Sequence, residues 1–136
     1  MQGLRFDFAI DPRYARVLRL FGVRPGRAWI LIDAGRLEVR FGFWRFETAL
    51  ANIDRAQLTG PYRSALRAIG PHISLKDHGI SFCTNTEQGV CILLREPVRG
   101  RETAGLVRYP GVTVTPADPA GFARELLAAR DASNGS

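Results

Sequence analysis

The fold is decided by residues 29–42, which read WILIDAGRLEVRFG. From Arg36 to Phe41 charged and apolar residues alternate, which is the two-residue period of a strand with one buried face. An apolar run from Trp29 to Ile32 precedes this segment, and Asp33-Ala-Gly-Arg36 between the two has the composition of a tight turn. The stretch therefore predicts an antiparallel hairpin.

Gly42 interrupts the alternation, and three aromatic residues follow it closely. An isolated glycine within a strand pattern predicts a bulge or a sharp bend, and such bends turn the corner of a sheet. If Phe43 and Phe46 enter the core on either side of the bend, Trp44 and Arg45 are left partly outside.

The same periodicity predicts elements on both sides of the hairpin. Upstream, a strand covers Leu4–Ile10, and a short helix runs from Pro12, capped by Asp11, to about Phe21. The strands predicted downstream are Ile53–Thr59, Ile73–Leu75, Ile80–Thr84, Val90–Arg95 and Val112–Val114. Asp118-Pro119 then begins an amphipathic helix. Residues 62–69 fit either a short helix or an irregular segment, and residues 97–109 are predicted to form a loop.

A second hairpin is predicted where residues 85–89 separate two of these strands, Ile80–Thr84 and Val90–Arg95. Cys83 and Cys91 then lie at or near facing positions, where cross-strand neighbours come within about 5 Å. Two roles are open for these cysteines: they form a redox pair, or they are small apolar residues of the core. The second is favoured, because no adjacent basic residue supports the thiolate.

Length and composition indicate one folded domain, since the chain has 136 residues of which 46% are hydrophobic and 24% charged. We expect this domain to occupy residues 1–131, with residues 1–26 as an N-terminal addition and residues 132–136 as a disordered tail. Many short strands, each with one apolar face, must close around a core. The pattern predicts a mostly β fold with α, an antiparallel barrel or sandwich of about seven strands capped by a C-terminal helix.

Three stretches carry a resemblance to a known family: the hairpin of residues 29–42, Leu50-Ala-Asn-Ile53 at the start of a strand, and residues 112–122, where a last strand runs into a capped helix. Over residues 27–130 the chain resembles the bacterial pleckstrin-homology-like (PH-like) domains common in actinobacteria. The resemblance implies a PH-like β-barrel or sandwich that serves as a binding or scaffolding module and needs no cofactor. The strand and helix before residue 27 are an addition to the plain domain.

Residues suited to catalysis are sparse. His72 and His78 are the only histidines, and neither stands three or four residues from the other or from a cysteine, so a zinc site would need long-range assembly. The chain contains no G-x-S-x-G motif and no phosphate-binding glycine loop. We therefore expect no enzyme activity, no metal and no cofactor.

The chain is basic, with a formal net charge of +6 and 18 arginines among its 19 basic residues. This excess fits selection for contacts with anions, and it equally fits a compositional bias of the whole genome. The candidate residues for binding an anion or a lipid are Arg24, Arg27, Trp44, Arg45, Arg63 and Arg67.

Different patterns support these candidates. A tryptophan beside a cation, as in Trp44-Arg45, suits an anionic interface, although the ring equally fits a cover over the end of the barrel. Arg63 and Arg67 share a face if their segment is helical. Arg24 and Arg27 flank a Pro-Gly turn, and the resemblance implies that basic residues near the first strands hold a lipid headgroup. A solvated basic loop is the alternative for that pair.

The function expected from these features is a binding module with a protein partner, held at a sheet edge or beside the terminal helix. The alternative is an anionic lipid headgroup, with peripheral contact to an anionic membrane, or a small ligand at the barrel mouth. Nucleic acid is disfavoured, because most aromatic residues occupy inward positions rather than a stacking platform. No apolar run reaches the length of a membrane span or a signal peptide, so we expect a cytoplasmic protein without a transmembrane segment.

Overall fold

Two sheets and two α-helices make up the part of the chain that the computed structural model describes, residues 3–24, 26–59, 70–73, 80–83, 88–99 and 108–134. The strands are β1 (Leu4–Asp7), β2 (Ala28–Asp33), β3 (Arg36–Phe41), β4 (Trp44–Ala49), β5 (Ile53–Thr59), β6 (Gly70–Ile73), β7 (Ile80–Cys83), β8 (Gly89–Arg99) and β9 (Arg108–Val114). The helices are α1 (Ala15–Leu20) and α2 (Pro119–Asn134), and 3-10 turns occupy Pro12–Tyr14 and Leu50–Asn52. A mostly β fold with a C-terminal helix is confirmed. Residues 62–69, which fit two predictions, lie outside the described ranges.

The first sheet is an antiparallel meander in the order β1-β2-β3-β4. The hairpin predicted from residues 29–42 is present, with Asp33 opposite Arg36. Both residues of its turn have positive φ, 51° at Ala34 and 77° at Gly35, as a type I′ turn requires.

The second sheet has the order β5-β8-β9-β7-β6, in which β7 and β9 run parallel and the other neighbours run antiparallel. The predicted β7–β8 hairpin is wrong, because β9 lies between the two strands. Val114 of β9 stands opposite Val90 on one side and Phe82 on the other. Local alternation located β7, β8 and β9, although β8 extends to Arg99 and β9 begins at Arg108, inside the predicted loop of residues 97–109. It carried no information about which neighbour each strand pairs with.

The two cysteines therefore do not face each other. Cys83 stands opposite Gly70, and Cys91 stands opposite Gln57 and Thr113. Two strand spacings separate their backbones by about 9 to 10 Å. This exceeds the Cα separation of about 7 Å that a disulfide tolerates.

We expect both thiols to stay free in the folded protein under mild oxidation. After exposure to air and unfolding in alkylating reagent without a reductant, mass spectrometry should show both cysteines alkylated, as in a reduced control. A peptide pair joining Cys83 to Cys91 within one chain would contradict the strand order.

The sheets face each other across one core, in which the ring of Phe41 on β3 lies 5.0 Å from that of Phe82 on β7. At one margin the chain after β1 pairs with the chain after β9, since Ala9 N donates to Thr115 O at 3.0 Å and Ala117 N to Asp7 O at 2.8 Å. Within the described ranges the sheets are not closed into a barrel.

The corner between the sheets lies at the 3-10 turn Leu50–Asn52, where β4 ends and β5 begins. The Asn52 side chain replaces a strand partner there. Its amide nitrogen donates to Glu96 O at 3.0 Å, and its oxygen accepts from Glu96 N at 2.9 Å. One amide thus satisfies both backbone groups of a residue in the irregular part of β8.

The N-terminal 26 residues contribute to this same core. Phe8, Leu18 and Val23 are all buried within the cluster that the sheets form. Asp11 caps the helical segment, as the sequence predicts, and its carboxylate accepts from Arg13 N at 2.9 Å.

The terminal helix α2 begins at its predicted cap. Asp118 Oδ1 accepts from Gly121 N at 3.1 Å, and Phe122 and Leu126 are fully buried against the sheets. The helix continues to Asn134, three residues into the segment 132–136 that composition predicts as a disordered tail.

The expected bend at Gly42 is wrong: Gly42 and Phe43 form a two-residue hairpin turn between β3 and β4, with Phe41 opposite Trp44. Gly42 has a φ of +61°, and glycine at the first central position is typical of a type II′ turn. The turn is seated on the chain that leaves α1, because Gly42 N donates to Arg27 O at 2.8 Å and Phe43 N to Phe21 O at 3.3 Å.

Gly42 tolerates no side chain at this packing contact. A Cβ there would press against the carbonyl oxygen of Phe21 and lie 2.7 Å from the carbonyl carbon of Gly22. Gly35 also has a positive φ, but a Cβ there would meet nothing within 4 Å. Substitutions at the two glycines therefore distinguish the cost of a positive φ, present at both, from the cost of overpacking, present only at Gly42.

We expect Gly42→Ala to lower the free energy of unfolding by about 3 kcal/mol, since it adds a backbone collision to the cost of a positive φ. Gly35→Ala, the matched control, should cost only about 1 kcal/mol. Urea unfolding midpoints of the two variants and the parent measure both values. An equal decrease in the free energy of unfolding of both variants would show that the backbone around Gly42 is not tightly packed.

A candidate docking surface at the aromatic end

The short helix α1 is fixed to the fold by one face. Leu18 is fully buried, and Tyr14 and Phe21, at the predicted spacings of four and three, are half-buried against the core. Val17 and Leu20 lie outside this stripe and are 50% and 78% exposed. The helix therefore keeps an apolar strip in solvent.

The β3–β4 turn packs against the chain at the end of α1 and carries further aromatic residues. The ring of Phe21 lies 5.7 Å from that of Trp44, which in turn lies 6.4 Å from that of Phe43. The Phe43 ring covers Gly22, at the exit from α1. We call Val17, Leu20, Phe21, Phe43 and Trp44 the aromatic end.

The most exposed member on the turn is Phe43, with 70% of its surface in solvent. It does not enter the core. Phe46 enters the core as predicted, but Phe43 sits at the second position of the turn, where the α1 exit blocks the way inward. Single exposed apolar residues are ordinary, whereas a contiguous exposed patch marks an interaction site.

The segments that form the aromatic end are rich in arginine, although two of their arginines, Arg13 and Arg45, pair with Asp11 and Glu38 just outside them. Residues 12–28 and 40–46 contain seven arginines and no carboxylate, while the rest of the chain has 12 basic and 13 acidic residues. Four of the seven are exposed and form no ion pair within the described part of the chain: Arg16, Arg19, Arg24 and Arg27.

The structure brings three of the predicted binding residues together. Arg24 and Arg27 are exposed on the turn between α1 and β2, closed by a hydrogen bond of 2.9 Å from Arg27 N to Arg24 O. Arg27 O accepts from Gly42 N, which places this turn beside the turn that carries Phe43 and Trp44. Trp44 is half-buried on the core-facing side of β4, so it covers the end of the core and supports Phe43 from behind.

Arg45 belongs to a different surface, the outer face of the first sheet. Its Nε lies 3.5 Å from Glu38 Oε1, and Arg36 lies at the same distance from Glu47. These diagonal pairs balance the like charges that stand directly opposite each other on β3 and β4. Arg45 and Trp44 therefore face opposite sides of β4, because successive strand residues do so. The predicted binding role of Arg45 stays a prediction.

Arg63 and Arg67 lie outside the described residues, so their predicted role stays a prediction.

The outer face of the first sheet holds a depression of about 120 Å³, lined by Leu31, Asp33, Arg36, Glu38 and Glu47. This is below the ~300 Å³ at which small-molecule sites begin.

Sequence reasoning missed Val17, Leu20, Phe43, Arg16 and Arg19. A signal was available for the helix: Val17 and Leu20 fall outside the stripe of Tyr14, Leu18 and Phe21, and apolar residues off the buried stripe of a helix remain in solvent. No local signal was available for Phe43, since its exposure depends on a contact with Phe21 some twenty residues earlier.

Comparison with known proteins supplies no relative: no protein-family model, curated protein or solved structure matches the chain. Within the described ranges, no group of three or more histidine, cysteine or acidic residues is placed to hold a metal ion. Neither described helix has the length and apolar character needed to span a bilayer.

We expect the Asp11 carboxyl to titrate below its usual value of 3.8, because the Arg13 side chain and then the Arg13 backbone N–H bond to the charged form and lower its pKa. A depressed pKa contributes stability that is present above the unfolded value and lost as the pH falls through the folded value. NMR titration of the carboxyl measures the pKa. Arg13→Gln should raise it toward 3.8, whereas Arg16→Gln should leave it in place. No response to Arg13→Gln would contradict the assigned cause.

Proposed function

We propose that the chain is a non-catalytic binding module of PH-like architecture that docks its aromatic end onto a negatively charged partner. The observation that carries the proposal is the exposure of Val17 and Leu20 on α1 and of Phe43 on the turn that packs against the exit from α1, beside arginines that form no ion pair in the described part of the chain. The PH-like assignment is supported by a hairpin sheet, a second sheet and a C-terminal helix in that order along the chain.

The exposed apolar side chains favour a docked state. Burying one Phe or Leu side chain contributes about 1.5 to 3 kcal/mol. Phe43 and Leu20 leave most of their surface in water, so most of this free energy is available to a partner that covers them. Their positions on a tight turn and at a helix end are ordered before binding, which limits the entropy lost on docking.

The arginines define the charge of that partner. Arg16, Arg19, Arg24 and Arg27 have no carboxylate neighbour in sequence from residue 12 to residue 32. Exposed guanidinium groups attract anionic surfaces and form paired hydrogen bonds with phosphate or carboxylate. A protein partner along a sheet edge and a cytoplasmic location, both expected from the sequence, stay predictions.

The proposal is tested with Trp44 as a reporter of the aromatic end. Trp29→Phe leaves Trp44 as the only tryptophan. The emission of Trp44 and its quenching by acrylamide are then measured with two anionic probes, phosphatidylserine-containing vesicles and an acidic glutamate–alanine copolymer.

At least one probe should shift the emission to the blue and reduce the quenching, and added salt should reverse the effect. Phe43→Ser should weaken it, while Leu4→Ser should not. Leu4 is a matched control because it is 42% exposed and stands opposite Ile32, at the other end of β2 from Ala28 and the aromatic end. No change of Trp44 with either probe would refute the proposed function.

A further inference from the structure

We infer that the chain forms a two-fold symmetric dimer in which the outer edge of β4 pairs antiparallel with β4 of a second copy. The pairing joins the four-stranded first sheets of the two copies into one continuous sheet. Arg45 of each copy stands opposite Glu47 of the other. The inference is independent of the proposed function, because neither of these two residues belongs to the aromatic end.

Strand β4 lies at the edge of the first sheet, with β3 as its only strand partner in the described part of the chain. The residues that flank the two-residue β3–β4 turn exchange backbone hydrogen bonds, so the even-numbered residues of β4 direct their N–H and C=O groups toward β3. Leu50 N, which donates to Gly35 O at 2.9 Å, continues this even-numbered pattern. The backbone groups of Arg45 and Glu47 consequently point away from the sheet, and a row of such groups is a template for a further strand.

The opposite edge of the same sheet, β1, carries a similar pair of charges, Arg5 and Asp7, but has different surroundings. Asp7 O accepts from Ala117 N at 2.8 Å, and Ala9 N donates to Thr115 O at 3.0 Å. The chain that follows β9 therefore blocks the approach of another strand to β1. Strand β4 is the edge through which a second copy can extend the sheet.

The sequence of β4 selects one register for this pairing. Odd-numbered residues carry the outward backbone groups, so a two-fold axis can place Arg45 opposite itself, Arg45 opposite Glu47, or Glu47 opposite itself. The first and third registers bring like charges together, which destabilises an antiparallel pair. The second brings opposite charges together on both sides of the axis. It also pairs nearly the whole strand, with Phe46 opposite itself and Trp44 opposite Thr48 of the second copy.

Both charged side chains already form an ion pair within their own sheet. Arg45 Nε lies 3.5 Å from Glu38 Oε1, and Arg36 lies 3.5 Å from Glu47 Oε2. The side chains of Arg45 and Glu47 are 39% and 22% exposed. In the dimer their mutual contact joins these pairs into one network across the central strands, and a network contributes more than isolated surface pairs do.

The experiment is sedimentation velocity of the full chain over a range of concentrations. The parent should be a reversible dimer that dissociates on dilution. Arg45→Glu sets two acidic groups opposite each other at both contacts, and Glu47→Arg sets two basic groups there. Each variant alone should therefore raise the dissociation constant of the dimer about tenfold or more.

Neither substitution removes the support of β4 within its own chain. Position 45 stands directly opposite Arg40, and position 47 stands directly opposite Glu38. Each variant thus gains an opposite charge across the strands in place of the diagonal pair that it loses. Circular dichroism should show both variants folded.

An equimolar mixture of the two variants tests the register. In the mixed dimer, the chain with Arg45→Glu is acidic at both positions and faces a chain with Glu47→Arg that is basic at both. The mixture should therefore dimerise about as tightly as the parent, although each variant alone does not. Variants that merely fail to fold cannot regain association on mixing.

Arg5→Glu, on β1, is the matched control because it changes the net charge as Arg45→Glu does and lies at the opposite edge of the sheet. It should dimerise like the parent. Equal weakening by Arg5→Glu would show that association depends on net charge and would overturn the inference. A parent that remains monomeric at every concentration, or a mixture of folded variants that remains monomeric, would also overturn it, while the proposed docking of the aromatic end would stand.

Discussion

The aromatic end depends on one contact, the close packing of Gly42 against the backbone that leaves α1. Gly42 N bonds to Arg27 O and Phe43 N to Phe21 O, and a Cβ on Gly42 would leave no room for either approach. The contact joins the N-terminal segment to the first sheet. It also places the ring of Phe43 over Gly22. The stability of this corner and the exposure of its aromatic ring therefore have one cause.

Elements with a strong local pattern were predictable from sequence. The hairpin of residues 29–42, strand β5 at Ile53–Thr59 and the cap at Asp118 all depend on neighbours within a few residues. Strand partners were not predictable in this way. The β7–β8 hairpin failed because β9, more than twenty residues after β7, pairs with both strands. Gly42 likewise fits a bulge, a bend or a turn locally, and a contact with residues 21–23 decides among them.

The candidate site was predictable in part for the same reason. Arg24, Arg27 and Trp44 were singled out from composition beside turns, and the structure places them around one corner. Arg45 was grouped with Trp44 because the two are adjacent in sequence, although alternation along β4 sends them to opposite faces. Only the register of β3 against β4 shows that Glu38 stands diagonally opposite Arg45 and neutralises it.

The distribution of charge bears on the question that composition left open, whether the arginine excess is functional or genomic. A compositional bias raises the number of arginines throughout a chain, but it does not remove carboxylates from one region. Here residues 12–28 and 40–46, which meet in space, both lack acidic residues, although Arg13 and Arg45 pair with Asp11 and Glu38 just beyond them. The same two segments supply the exposed Leu20 and Phe43. Unpaired exposed arginines beside exposed apolar side chains support the proposed docking onto an anionic partner.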